Sequence, residues 1–205
     1  MRLSGAVRRG AEIALAALIG LVLLPPMAAI SAAIVFCMGT PVIFRHRRAG
    51  YRQQPFTLYK YRTMSSQTGP NGCLLPDSRR LTPIGRFLRT TSLDELPQLW
   101  NILRGEMSFV GPRPLVPEYL PRYSARQRRR HEVRPGITGW AQVHGRNALS
   151  WEEKFQLDVW YVDHRSLRLD LRIAALTLLA VARRQGISQA GHATMPDFMG
   201  SAHDR

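Results

Sequence analysis

Residues 11–38 read AEIALAALIGLVLLPPMAAISAAIVFCM, and how this stretch meets a bilayer decides the fold. Only Glu12 in it is charged. At 1.5 Å per residue the run is long enough to cross a hydrocarbon core. Arg2, Arg8 and Arg9 lie before or at its start, and Arg45, Arg47 and Arg48 follow it. Three arrangements compete. A cleaved signal peptide has a basic start and small residues like AAISAA, but its apolar core is shorter than this one. A straight spanning helix fits the length, yet basic flanks on both sides give no orientation bias. The adjacent Pro25 and Pro26 also remove two backbone donors at its middle and crowd the preceding turn. A re-entrant helix explains both facts. It breaks at Pro25-Pro26, returns to the side it entered and sets both basic flanks among the headgroups. We expect this form over residues 1–40.

The rest of the chain is long enough to bury a core and to form one principal domain. The formal net charge is +15, and of 29 basic residues only Lys60 and Lys154 are lysines. Arginine's planar fork suits phosphate oxygens. Such an excess predicts an anionic partner: nucleic acid, anionic lipid or a phosphorylated substrate. Charge alone does not choose among them. Cys37 and Cys73 lack metal-ligand spacing, and the six histidines are scattered, so no Cys/His metal centre is expected.

Coarse patterning gives a short strand, a basic turn at Arg45 to Arg52 and a strand around Phe56 to Tyr61. Residues 65–80 read as a Gly/Pro/Ser loop. A short helix after Pro83 carries Arg86 and Arg89. SFVGPRPLVPEYLPRY reads as an ordered extended loop, and Arg128 to Arg130 as a headgroup-binding or surface patch. VRPGITGWAQVHGRN reads as turn-rich. Ser150 and Glu153 have capping-box spacing at the head of a helix whose Trp151, Phe155, Val159 and Val162 share one face. Trp140 and Trp151 read as core or interfacial residues. A last helix runs from about Leu169 to Arg184 with Gly186 beyond it, and 187–205 reads as a loose tail.

The chemistry concentrates in TTSLDELPQLW, Thr90 to Trp100. Asp94 and Glu95 stand just before Pro97, in a chain crowded with arginine. The structural reading is a helix start over about Asp94 to Leu103: Ser92 and Glu95 have capping-box spacing, acids suit the positive end of the helix dipole, and Pro97 fits the first turn. The functional reading is a phosphoryl-transfer site. Beside Arg86, Arg89 and Arg113 a carboxylate keeps a low pKa and stays anionic. It can hold Mg²⁺ or attack an electrophilic phosphorus while arginines neutralise the phosphate oxygens. The chain has no P-loop and no G-x-G-x-x-G, so the site is not built like a kinase or P-loop NTPase.

Several long motifs in order now carry a resemblance: the basic N-terminus with its apolar segment, FTLYKYRTM, RRLTPIGRFLRTTSLDELPQLWNILRGEMSFVGPRP, and VRPGITGWAQVHGRN followed by WEEKFQLDVWYV. Over nearly its whole length the chain resembles the bacterial sugar transferases, the small monotopic phosphoglycosyl transferases. The resemblance implies that Asp94 attacks the β-phosphate of a UDP-sugar, releases UMP and carries the phosphosugar covalently, with Glu95 beside it. A polyprenyl phosphate, usually undecaprenyl phosphate, then takes the phosphosugar in the first lipid-linked step of glycan assembly. It implies Mg²⁺ at Asp94, phosphate-binding roles for Arg89, Arg113 and Arg146, a Pro112-Arg113-Pro114 element, and support from Lys60 and Arg62. It places the enzyme on the cytoplasmic face of the bacterial inner membrane, among its lipids and with downstream glycosyltransferases as partners, and implies no nucleic-acid partner. It also implies the small form of the family, without the spanning helices that larger relatives add. Two positions depart from the family pattern: Pro25 stands where Ser is common, and His144 where Asn is common.

The expected fold is mixed α/β, mostly helical with a small sheet. A re-entrant helix occupies 1–40, a catalytic domain with interfacial amphipathic helices 41–186 and a tail 187–205. The sugar stays open among diacetylbacillosamine, N-acetylgalactosamine, galactose and glucose. A rival reading is a membrane-anchored basic protein that binds nucleic acid or lipid without catalysis. It accounts for the charge but not for an acidic pair set among arginines.

Overall fold

The computed structural model describes residues 5–145, 148–183 and 197–200. It is mostly helical, with two small sheets, as the sequence predicts. The apolar stretch forms one helix, α1 (Gly5–Met38), with Pro25 and Pro26 inside it. The expected break does not interrupt the element, although neither proline can supply an N–H to the carbonyl four residues back. What the structure adds is where the helix packs. Ala16 sits in a cluster with Leu58, Leu99, Ile102 and Met107. Ile34 sits in another with Tyr61 and Leu88. Both halves of α1 therefore lie against the same body. Its other side carries exposed Leu18, Leu21, Val22, Leu24 and Phe36, a face apolar enough to anchor the protein in a membrane.

The N-terminal arginines are not simply headgroup ligands. Arg8 pairs with Asp170 and, at 3.3 Å, with Glu12. Arg9 reaches Glu12 at 3.1 Å and the Met107 carbonyl at 2.9 Å, while Ser108 Oγ donates to Glu12 at 3.0 Å. The one charge in the apolar run thus fastens α1 to the body. Arg45 and Arg47, on the other flank, are exposed.

Strands β1 (Ile43–Ala49) and β2 (Pro55–Tyr61) form an antiparallel hairpin, with Phe44 opposite Lys60. The basic segment read as a turn is mostly β1 itself, and the turn is confined to Gly50–Gln54. A helical turn α2 (Asp77–Arg80) and helix α3 (Pro83–Thr90) follow, the latter capped by Thr82, whose hydroxyl accepts the Gly85 N–H. Helix α4 (Gln98–Leu103) is bound to β2 through buried Asn101. Its amide donates to the Thr57 carbonyl at 2.7 Å and accepts from the Tyr59 N–H at 3.2 Å, satisfying backbone groups of β2 outside the hairpin ladder.

The second sheet was not legible in the sequence. β3 (Ser108–Val110) runs parallel to β4 (Gly136–Thr138), each only three residues long. The backbones cross so closely that a Cβ on Gly136 would lie 2.1 Å from the Gly111 nitrogen, so only glycine fits. After α5 (Ala125–Arg128) and α6 (Trp140–His144) come α7 (Trp151–His164), with the expected Ser150–Glu153 capping box, and α8 (Leu167–Ala182). Trp140, Tyr161 and Ile173 share a cluster with Val110. Of the segment read as a tail, only 197–200 is described, and there Phe198 is buried among Tyr119, Tyr123 and Phe155. Gly186 and the rest of that segment lie outside the described residues.

Candidate active site

The capping-box reading of Ser92 and Glu95 fails. Ser92 is left-handed (φ 57°), and its side chain makes no cap hydrogen bond. Leu93–Glu95 forms a single 3₁₀ turn, and α4 begins only after Pro97. Leu93 and Leu96 pack onto the cluster of Ile34, Tyr61 and Leu88, which tips the acids toward β2. Glu95 turns its carboxylate away from the Ser92 N–H. Its Oε1 accepts from Lys60 Nζ at 2.6 Å and from Arg113 Nη2 at 3.1 Å. Four residues from three separate segments therefore meet: Lys60, Asp94, Glu95 and Arg113.

The two acids are electrostatically unlike. Burial opposes the Glu95 charge, but Lys60 and Arg113 outweigh it and hold its pKa down to about 2. Asp94 is buried as well, and the only cation close to it among the described residues is Lys60, 3.9 Å away. Burial pushes its pKa up, the neighbouring Glu95 charge adds to that, and Lys60, Arg113 and Arg89 only partly offset it. The low pKa expected of the pair belongs to Glu95. Asp94 keeps a more basic carboxylate to which no group among the described residues donates a hydrogen bond.

Arg89 stands on the same side but bonds Thr63 Oγ1 through Nε at 3.0 Å, and it acts on Asp94 only through its charge. Arg113 is half exposed, so its guanidinium meets Glu95 on one edge and is open on the other. Pro112 and Pro114 flank it in the loop after β3, where the Pro112 carbonyl accepts the Gly136 N–H at 3.1 Å. Arg62 is not in this group, nor is it solvated or lipid-facing. Its guanidinium is buried against the C-terminus of α1, donating to the carbonyls of Met38 (2.5 Å), Gly39 and Thr40 (3.0 Å). Arg146 lies outside the described residues. His144 bonds the Trp140 carbonyl through Nδ1 at 2.8 Å.

Sequence reasoning missed Arg130 and Asp158. Arg130 is no surface residue: it is 3% exposed and paired with Asp158 at 2.8 Å. The signal was present in the helical period. Asp158 lies three residues after Phe155 and four before Val162, on the face of α7 assigned to the core, and a charge there requires a buried partner.

A family model described as "Bacterial sugar transferase" matches residues 3–184. The chain belongs to the bacterial sugar transferase family. It is 57% identical over 164 residues to "Uncharacterized sugar transferase EpsL" of Bacillus subtilis, covering 80% of this chain and 81% of that one. It is 39% identical over 165 residues to the "Undecaprenyl-phosphate galactose phosphotransferase" of Salmonella typhimurium, covering 72% of this chain and 35% of that one. The "UDP-glucose:undecaprenyl-phosphate glucose-1-phosphate transferase" of Xanthomonas campestris is 39% identical over 180 residues, 82% of this chain and 37% of that one. The chain thus spans about a third of the Salmonella and Xanthomonas relatives and four fifths of the Bacillus one. All eleven residues of TTSLDELPQLW, the hub of the site, fall inside the family match.

Proposed function

We propose that this sugar transferase moves a phosphosugar from a UDP-sugar to a polyprenyl phosphate, undecaprenyl phosphate in bacteria, through a covalent intermediate on Asp94. The observation that carries the reading is the division of labour in the acidic pair: Glu95 holds Lys60 and Arg113, while Asp94 is the more basic of the two and accepts no hydrogen bond from the described residues. In the first half-reaction an Asp94 oxygen attacks the β-phosphorus. A carboxylate–phosphorus bond forms, the bond from that phosphorus to the bridging oxygen breaks, and UMP leaves with the electron pair. In the second, a phosphate oxygen of the polyprenyl phosphate attacks the same phosphorus and expels the Asp94 carboxylate. The open edge of Arg113, together with Arg89, neutralises the phosphate oxygens, while Glu95 anchors Lys60 beside the nucleophile. Pro112 and Pro114 limit the freedom of the Arg113 loop.

Mg²⁺ is part of the proposal. Magnesium takes one or two carboxylates with substrate phosphates and water rather than a closed protein cage. Asp94, to which no described residue donates, is the residue that would hold it. When bound, it would neutralise charge on the diphosphate.

The exposed apolar face of α1 and the packing of both its halves on one body support an attachment from one side of the inner membrane, with the site on the cytoplasmic face. There a soluble nucleotide sugar and a lipid phosphate can reach the same aspartate. The product would feed glycan assembly. The test is UMP release from a panel of UDP-sugars with Mg²⁺ and undecaprenyl phosphate. One active donor, and loss of release in Asp94→Asn, supports the reading. No release from any donor sinks it.

A further inference from the structure

Arg113 reaches Glu95 from a loop, and a loop alone does not fix a guanidinium to within a hydrogen bond. Behind that loop lies the most buried ion pair among the described residues. Arg130 and Asp158 side chains are 2% and 5% exposed. Arg130 donates Nε and Nη2 to Asp158 Oδ2 at 3.0 and 2.8 Å, and the same Nη2 donates to the Arg113 carbonyl at 2.7 Å. Its guanidinium carbon sits 5.9 Å from the Tyr123 ring centroid and 5.6 Å from that of Phe155, so its plane is held by aromatic faces as well as by the carboxylate. Next in sequence, buried His131 contacts the Gly50 carbonyl at 3.0 Å through Nδ1. The Ala49 N–H in turn donates to the Leu115 carbonyl at 2.9 Å.

From this geometry we infer that Arg130 and Asp158 are positioning residues: they clamp the peptide of Arg113 so that its side chain meets Glu95 and the substrate phosphate. A buried pair of this kind adds little net stability over an apolar replacement of the same volume. Its worth is in placement. The chain of contacts runs Asp158, Arg130, the Arg113 carbonyl, the Arg113 guanidinium, Glu95 and Lys60. A lysine at position 130 could supply charge but not the fork that holds two acceptors in one plane. The inference rests on the proposed role of Arg113, but the clamp itself is testable without any substrate.

The experiment replaces the pair together, Arg130→Met with Asp158→Leu, leaving no orphaned charge. Arg130→Lys is read in the same way should the double variant fail to fold, as judged by circular dichroism. Hydrogen exchange at the amides that bond this loop, Gly111 N–H to the Thr138 carbonyl, Gly136 N–H to the Pro112 carbonyl and Ala49 N–H to the Leu115 carbonyl, should rise at least tenfold, with the segment around Gln98–Leu103 unchanged. Unchanged exchange at these three amides overturns the clamp. The second readout is a cycle with Arg113→Ala, scored as kcat/KM for UMP release. The pair replacement should lower kcat/KM by about 10²-fold in the wild-type background. It should have no further effect once Arg113 is alanine. Multiplying losses would mark general damage and overturn the inference. A wild-type enzyme that releases no UMP would instead refute the proposed function, and the exchange measurement would still decide the clamp.

Discussion

Gly85→Ala is the most informative small change the structure offers. Helix α3 crosses the end of the β2 segment so closely that a Cβ at position 85 would lie 1.8 Å from the Thr63 carbonyl oxygen and 2.6 Å from its carbon. Both are backbone atoms, so no side-chain rotation relieves the clash. Reaching an ordinary contact of 3.4 Å requires the two backbones to part by about 1.6 Å. Three bonds cross this junction, Arg89 Nε to Thr63 Oγ1 at 3.0 Å and the Thr82 hydroxyl and N–H to the Thr63 carbonyl at 3.2 and 3.4 Å, and all three would break. Overpacking of this kind costs about 1–3 kcal/mol. The larger effect should be on activity, because α3 leads directly into the Ser92 turn that delivers Asp94. A displacement of about 1 Å in such a site costs roughly 10²-fold. Thermal unfolding and kcat/KM for UMP release, measured side by side, separate the two. A variant that unfolds a few degrees lower but retains wild-type kcat/KM would refute the claim that this junction positions the nucleophile.

Lys60→Met removes the 2.6 Å bond to Glu95 and the nearest cation to Asp94. It should lower kcat at saturating donor by about 10²-fold, and an unchanged kcat would remove Lys60 from the machinery. Ser92→Gly relieves a left-handed residue whose side chain caps nothing. It should raise stability by about 0.5–1 kcal/mol, and Ser92→Val should lower it, both read by thermal denaturation. The buried His131 has its pKa lowered to about 4 by burial and by Arg130. Between that value and the unfolded 6.5 the native imidazole stays neutral while the unfolded one takes a proton. Stability is therefore full above about pH 6.5 and declines as pH falls toward 4, by up to about 3 kcal/mol. In denaturant titrations His131→Gln should lose that pH-dependent part. A gap between wild type and variant that is constant with pH would contradict it.

The elements with strong local signals were legible. The capping box at Ser150–Glu153, the apolar face of α7 and the helix after Pro83 announce themselves within a few residues. The acidic pair stood out as a candidate site, although its spacing and the following proline fit a helix cap equally well. What the sequence did not carry was pairing across distance. Ser92 and Glu95 have the spacing of a cap, yet Lys60, 35 residues away, and Arg113, 18 residues on, claim the carboxylate instead. The resemblance gives Arg62 a supporting role at the site, and nothing near it in sequence shows that the end of α1 would return to it. Arg130 read as surface because it sits in a run of charge, and only Asp158, on the buried face of a later helix, explains its burial. The short parallel sheet of Ser108–Val110 with Gly136–Thr138 is too brief to leave a period-two pattern, and its glycines look like turn residues rather than the close backbone crossing they permit.

The central claim is that Asp94 carries the phosphosugar. The most direct measurement is the intact mass of the purified protein after incubation with its UDP-sugar and Mg²⁺, with no lipid acceptor. The account predicts a mass increase equal to one phosphosugar, mapped to the peptide that contains Asp94, absent in Asp94→Asn and discharged by polyprenyl phosphate. An adduct that persists in Asp94→Asn, or UMP released only when donor and acceptor are present together and with no adduct at any time, would contradict it.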